Sequence, residues 1–124
     1  MIEDSCSHVE LMENTTVEKP WGSFTCFTHH IPSTVKLLNI KKGEAFSLQY
    51  HKHRSEFWKV MKGSPTVTIG EVQHRALEGD EFEIPPLTMH RIFASEEDVV
   101  VPEISTGDFN EDDIVSVEDK YGRA

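Results

Sequence analysis

The sequence predicts an all-β fold, a barrel or a sandwich of short antiparallel strands. Three observations carry that expectation. Short β-like runs recur along the chain, turn residues punctuate almost every gap, and no segment before residue 95 places apolar residues at i, i+3, i+4 and i+7 over ten positions. A small antiparallel sheet must also hide its edges, by closing on itself or by packing on a second sheet.

Taken in order, the runs are Ser23–Thr28, Val35–Ile40, Ala45–Tyr50, Glu56–Met61, Thr66–Ile69, Val72–Leu77, Glu81–Ile84, His90–Ala94 and Val99–Ile104. Alternation is plainest at Val67/Ile69 and Phe82/Ile84. Between them lie Ile31-Pro32-Ser33, Lys42-Gly43-Glu44, Lys62-Gly63-Ser64-Pro65, Gly70, Glu78-Gly79-Asp80 and Pro85-Pro86, all of which favour turns. Residues 1–17 show no sustained period and are expected to be a flexible arm or a swapped strand, with the folded domain over 18–124. Trp21, Phe24, Phe46, Trp58, Phe82 and Phe93 are expected to fill the barrel. His74, among polar neighbours, and the pair His29-His30 are expected outside it.

The 124 residues are enough for one core. Their net charge is −10, and residues 95–124 hold ten acids against Lys120 and Arg123. Such a segment repels phosphate backbones and anionic headgroups, so neither nucleic acid nor a membrane is an expected partner. The chain shows neither a signal peptide nor a long apolar run, and its two cysteines, Cys6 and Cys26, suggest a reducing, cytoplasmic setting.

The residues that suggest chemistry are Gln49, His51, His53, Glu56 and His90. On a continuous strand Gln49, His51 and His53 share one face, because side chains at i, i+2 and i+4 point the same way. Glu56 opens the following run, and His90 follows the turn at Pro85-Pro86-Leu87-Thr88. Imidazole, carboxylate and amide oxygen together suit a divalent ion such as zinc, manganese, iron, cobalt or nickel. Three or four protein ligands with a position left open is the catalytic pattern.

The spacing resembles the cupin superfamily. Its first motif is matched by Gly43, five residues, Gln49, one residue, His51, four residues, Glu56, six residues, Gly63. Its second is matched by Gly79, five residues, Pro85, one residue, Leu87, two residues, His90. Gln49 replaces the motif's first His, and Leu87 replaces its internal Gly. The surrounding text is similar to the C-terminal isomerase domain of type II mannose-6-phosphate isomerases, which are fused to a GDP-mannose pyrophosphorylase. That text is Lys19-Pro20-Trp21-Gly22-Ser23, the stretch from Ser47 to Trp58, and Glu111-Asp112-Asp113-Ile114-Val115 with Glu118-Asp119-Lys120-Tyr121-Gly122-Arg123.

The resemblance implies a jelly-roll barrel, the cupin double-stranded β-helix, with a metal ion held by Gln49, His51, Glu56 and His90, zinc before the other candidates. It also implies isomerisation of mannose 6-phosphate to fructose 6-phosphate through a cis-enediol, a small anionic substrate and a homodimer. No nucleotidyltransferase domain is present, so GDP-mannose synthesis is not expected. His53, as an imidazole on the ligand face, is the expected proton-transfer base. A dianionic phosphate needs a buried cation, and Arg91 and Lys36 are the expected ones, Arg91 also as a catalytic group. Two alternatives use the same residues: a metal- and sugar-binding cupin without turnover, acting as a sensor or subunit, and a metal-dependent dioxygenase.

Overall fold

The computed structural model describes residues 15–28, 31–107 and 113–118. Every regular element among them is a strand. The chain divides into two compact units, Met1–Ser33 and Thr34–Ala124.

In the first unit, β1 (Thr15–Lys19) and β2 (Gly22–Cys26) form an antiparallel hairpin whose register runs from Thr15↔Cys26 to Lys19↔Gly22. Pro20 and Trp21 make its turn, which is why Trp21 is 73% exposed instead of filling a core. Of the expected arm, residues 15–17 are paired in β1 and the remainder lies outside the described residues, as does His29-His30. Cys26 is in a disulfide, which corrects the expectation of reduced thiols.

The second unit carries β3 (Ser33–Ile40), β4 (Leu48–Tyr50), β5 (Arg54–Lys59), β6 (Thr66–Ile69), β7 (Val72–Arg75), β8 (Glu81–Ile84), β9 (His90–Phe93), β10 (Val99–Gly107) and β11 (Val115–Glu118). They make two antiparallel sheets, ordered β3-β10-β5-β8 and β11-β4-β9-β6-β7. Apart from the β6–β7 hairpin, strands that are neighbours in sequence alternate between sheets, so the two sheets enclose one interior, the cupin jelly roll. Two strands had no clear signal in the sequence: β1, which begins in the expected arm and runs past its end, and β11, inside the acidic C-terminal segment.

Strand alternation fills the interior. Along β10, Val99, Val101, Glu103 and Ser105 are buried; along β5, Arg54, Glu56 and Trp58. Ile92 and His90 do the same on β9. The inward rows therefore change character along their length. One end is apolar, built from Trp58, Val60, Val67, Ile84, Ile92 and Val101, with Phe46 and Phe82 packed against it. Each fully buried aliphatic side chain there stabilises the fold by about 1.5–3 kcal/mol. The other end is polar and holds His51, Arg54, Glu56, His90 and Glu103. Phe93, adjacent to Ile92, points to the opposite face and is 37% exposed, so it is not core. His74 is half-buried against Phe82, ring centroids 5.3 Å apart, because β7 turns that side chain toward β8 instead of leaving it in solvent.

Candidate metal centre

His51, Glu56 and His90 converge at the polar end, with one ligand atom from each lying within 4.8 Å of the others. They come from three places in the chain: the end of β4, the inward face of β5, and the start of β9. His90 Nε2 is 3.1 Å from Glu56 Oε1, and His51 Nε2 is 3.6 Å from the same oxygen. The two imidazole centroids are 5.0 Å apart. All three side chains are buried.

Each imidazole is fixed from behind. His51 Nδ1 donates to the backbone oxygen of Asp113 at 2.6 Å, and His90 Nδ1 donates to that of Thr88 at 2.9 Å. A carbonyl oxygen only accepts, so Nδ1 carries the proton in both rings and each Nε2 is an unprotonated acceptor, which in His51 receives an N–H of the Arg54 guanidinium at 3.2 Å. Glu56 Oε1 and His90 Nε2 are buried without a hydrogen-bond partner among the described residues, although only 3.1 Å separates them. Buried polar atoms are rarely left so. Two imidazole lone pairs and a carboxylate oxygen aimed at one another fit a divalent cation.

Burial lowers the His51 pKa and so favours its neutral form, the one that can ligate. Burial pushes Glu56 up, yet the neighbouring imidazoles, His90 first and then His51, outweigh this and hold the carboxyl below its ordinary value. Its neighbour Glu103 is pushed up to about 7, by burial first and then by the charge of Glu56. Glu103 Oε2 accepts from Trp58 Nε1 at 3.1 Å, and Ser105 Oγ donates to Glu56 Oε2 at 3.3 Å.

Gln49 lies opposite His90 across the β4–β9 pair, so both side chains leave the same face of the sheet. Its Oε1 accepts from Ser47 Oγ at 2.8 Å. His53 is placed elsewhere. The strand ends at Tyr50 and the chain bends through Lys52 and His53, so the i, i+2, i+4 relation stops at His51, and His53 is exposed. Arg91 also leaves the site: strand alternation sends it to the opposite face from His90, where its Nε donates to Phe46 O at 3.0 Å and its guanidinium meets Glu118. Lys36 sits on the half-buried side of β3 with Leu38, its charge felt by Glu103, while Val35 and Leu37 face solvent.

Two further residues shape the site. Arg54 is buried, with one guanidinium nitrogen 3.2 Å from His51 Nε2 and its Nε 3.8 Å from Glu56 Oε2. Its place two residues before Glu56 on one strand was the signal for it. Asp113 holds the loop: its carboxylate accepts from the backbone N–H groups of Lys52 and His53, both at 2.9 Å. Only the resemblance of Glu111-Asp112-Asp113-Ile114-Val115 to related domains pointed to that segment. Tyr121 and Arg123 lie outside the described residues.

Comparison with known proteins agrees with this architecture. Residues 7–119 match the family described as "Mannose-6-phosphate isomerase C-terminal". Mannose-1-phosphate guanylyltransferase RfbM of Salmonella typhimurium is 34% identical over 118 residues, which is 91% of this chain and 24% of that protein. The alginate biosynthesis protein AlgA of Pseudomonas aeruginosa is 32% identical over 122 residues, 97% of this chain and 25% of its own length. The chain thus spans about a quarter of these relatives. Among solved structures, KdgF from Halomonas sp. superposes with a TM-score of 0.61 at 21% identity, covering 68% of this chain and 77% of that one. A cupin protein from Bacteroides fragilis gives 0.56 at 21% identity, covering 60% and 65%. With its two-sheet jelly roll and a match spanning nearly its whole length, the chain belongs to the mannose-6-phosphate isomerase C-terminal family.

Proposed function

We propose that the protein is a metal-dependent sugar-phosphate isomerase whose substrate is mannose 6-phosphate. The observation that carries this reading is the pair of imidazoles, each locked by a carbonyl so that its Nε2 lone pair faces the buried Glu56 oxygen, in a chain of this family.

His51, His90 and Glu56 would hold the ion, with the Gln49 amide oxygen as a fourth donor once released from Ser47. Two nitrogens with carboxylate and amide oxygens suit zinc, and manganese, cobalt, nickel and iron follow. When bound, such an ion acts as a Lewis acid, stabilising negative charge on the sugar oxygens as a proton passes between C1 and C2. Arg54, beside both His51 and Glu56, adds a permanent positive charge in the same low-dielectric space. Lys36, on the half-buried side of β3 with its charge felt by Glu103, is the proposed partner of the phosphate, while Arg91 faces away. The base expected of His53 is not favoured by that residue's exposed position.

A second reading has a specific observation behind it. Two His and one carboxylate are also the ligand set of non-haem iron(II) oxygenases. The discriminating experiment loads the protein separately with zinc and with iron(II). It measures fructose 6-phosphate from mannose 6-phosphate in a coupled assay, and oxygen uptake in parallel. Metal-dependent production of fructose 6-phosphate, lost in Glu56→Gln, is the expected result. Stoichiometric metal binding with no turnover would mean a binding protein, and oxygen consumption with iron alone would favour the oxygenase.

A further inference from the structure

Arg91 belongs to a different feature, on the outer face of the five-stranded sheet. There, after a bulge in β11, Glu118 pairs with Leu48. The Gln49↔His90 pair sets Leu48 beside Arg91, Arg91 pairs with Thr68, and Thr68 pairs with Gln73. These five residues form one row running across all five strands. Phe93 and Thr66 pair directly in the adjoining row, and Ala45 bridges to Phe93. Together the two rows line a cavity of about 370 Å³.

The chemistry of this cavity is specific. Arg91 is spoken for: its Nε donates to Phe46 O at 3.0 Å, one terminal nitrogen donates to Glu118 O at 2.8 Å, and the other lies 3.6 Å from the Glu118 carboxylate. Its charge is thus compensated within the site, which argues against an anionic ligand. Glu118 is the exposed partner and still presents acceptor oxygens. The Thr68 hydroxyl and the Gln73 amide offer donors and acceptors in the same row, and Phe93 offers an apolar ring edge at 37% exposure. Planar polar groups spaced by the strand interval, with one aromatic ring beside them, match a ring that carries hydroxyls on its rim and C–H bonds on its face. The volume is in the range of small-molecule sites.

We propose that this outer face is a second ligand site, separate from the metal centre, that binds a neutral hexopyranose. Glu118, Thr68 and Gln73 receive its hydroxyls beside the compensated Arg91, and Phe93 packs against its C–H face. The site uses no metal ligand, so its occupation does not require the ion.

The test is an amide NMR titration of the full chain, stripped of metal by chelation, with methyl α-D-mannopyranoside and separately with inorganic phosphate. The expected result is saturable shifts from the glycoside at Thr68, Gln73, Arg91 and Phe93, with none from phosphate. Gln73→Ala and Thr68→Val should each weaken binding about three- to tenfold, and Phe93→Ala about tenfold. All three alter half-buried or exposed positions, and their amide spectra away from the site should match the parent's, which shows that they fold. Absence of saturation, shifts confined to the surroundings of His51 and Glu56, or equal affinity in all three variants would overturn the proposal. The same would follow if phosphate produced the shifts. None of these outcomes bears on metal binding or isomerase activity, which are measured independently.

Discussion

His51 and Asp113 are joined by a hydrogen bond of 2.6 Å between ring Nδ1 and backbone oxygen, across 62 residues of sequence. The same Asp113 uses its carboxylate to hold the two residues that follow His51's neighbourhood, Lys52 and His53, by their N–H groups. One residue therefore sets the tautomer of a candidate ligand and the path of the loop that carries it. Asp113→Ala keeps the carbonyl but frees the loop, and it is expected to weaken metal binding about 10- to 100-fold, as loss of a supporting contact commonly does. Competition with a chelator measures this, and unchanged affinity would show the clamp to be dispensable. The Lys52 N–H lowers the Asp113 carboxyl below its ordinary value, so the clamp should persist above that value and loosen only as pH falls through the lowered one.

A pH effect of opposite sign is expected from Glu103, whose carboxyl is pushed from 4.5 to about 7 by burial and by Glu56. Between those values the folded chain binds a proton that the unfolded chain has released, so this contribution to stability falls as pH rises. His51, with a lowered pKa, works the other way below its ordinary 6.5. The informative quantity is therefore the difference between Glu103→Gln and the parent, both metal-free. Thermal melts should move in the variant's favour as pH increases from 4.5 through 7, and a difference independent of pH would contradict the assignment.

Two motif glycines should behave unequally. Gly63 has φ +95°, and a Cβ there would lie 2.7 Å from Asp98 O and 2.8 Å from Val99 Cγ2. Gly79 has φ +92° with nothing within 4 Å. Gly79→Ala should cost about 1–2 kcal/mol, the left-handed backbone penalty alone. Gly63→Ala adds clashes with the Asp98 carbonyl and the buried Val99 side chain and should cost about 3 kcal/mol or more. Urea unfolding of both variants checks the ranking.

Leu87 stands where the second motif has glycine, and it adopts φ +65°, the only non-glycine with positive φ among the described residues. Its N–H donates to His51 O at 2.7 Å, so the turn cannot relax without losing a contact to the metal centre. The side chain is 67% exposed and contributes little burial. Leu87→Gly should stabilise the protein by about 0.5–1 kcal/mol, the relieved strain less the added chain entropy. A lower melting temperature would show that Leu87 makes a contact worth more than its strain.

Much of this molecule is legible along the chain. Alternating runs such as Thr66–Ile69 and Glu81–Ile84 coincide with strands because their periodicity and bounding turns act locally. The motif spacing likewise singles out His51, Glu56 and His90, since one fold closes those intervals into one place. By contrast β1 and β11 carry weak local signals, because each gains its strand conformation from a partner, β2 and β4 respectively.

Residue type and spacing, then, were sufficient for the all-β class, and the family resemblance of the motifs added the jelly roll and the identity of the converging imidazoles and carboxylate. Direction was not. A bend after His51 turned His53 to solvent, pleating sent Arg91 to the far face of its sheet, and the same pleating brought Arg54 inside. Which way a side chain points depends on where a strand stops and on what lies across from it, and those partners are supplied only when distant segments of the chain meet.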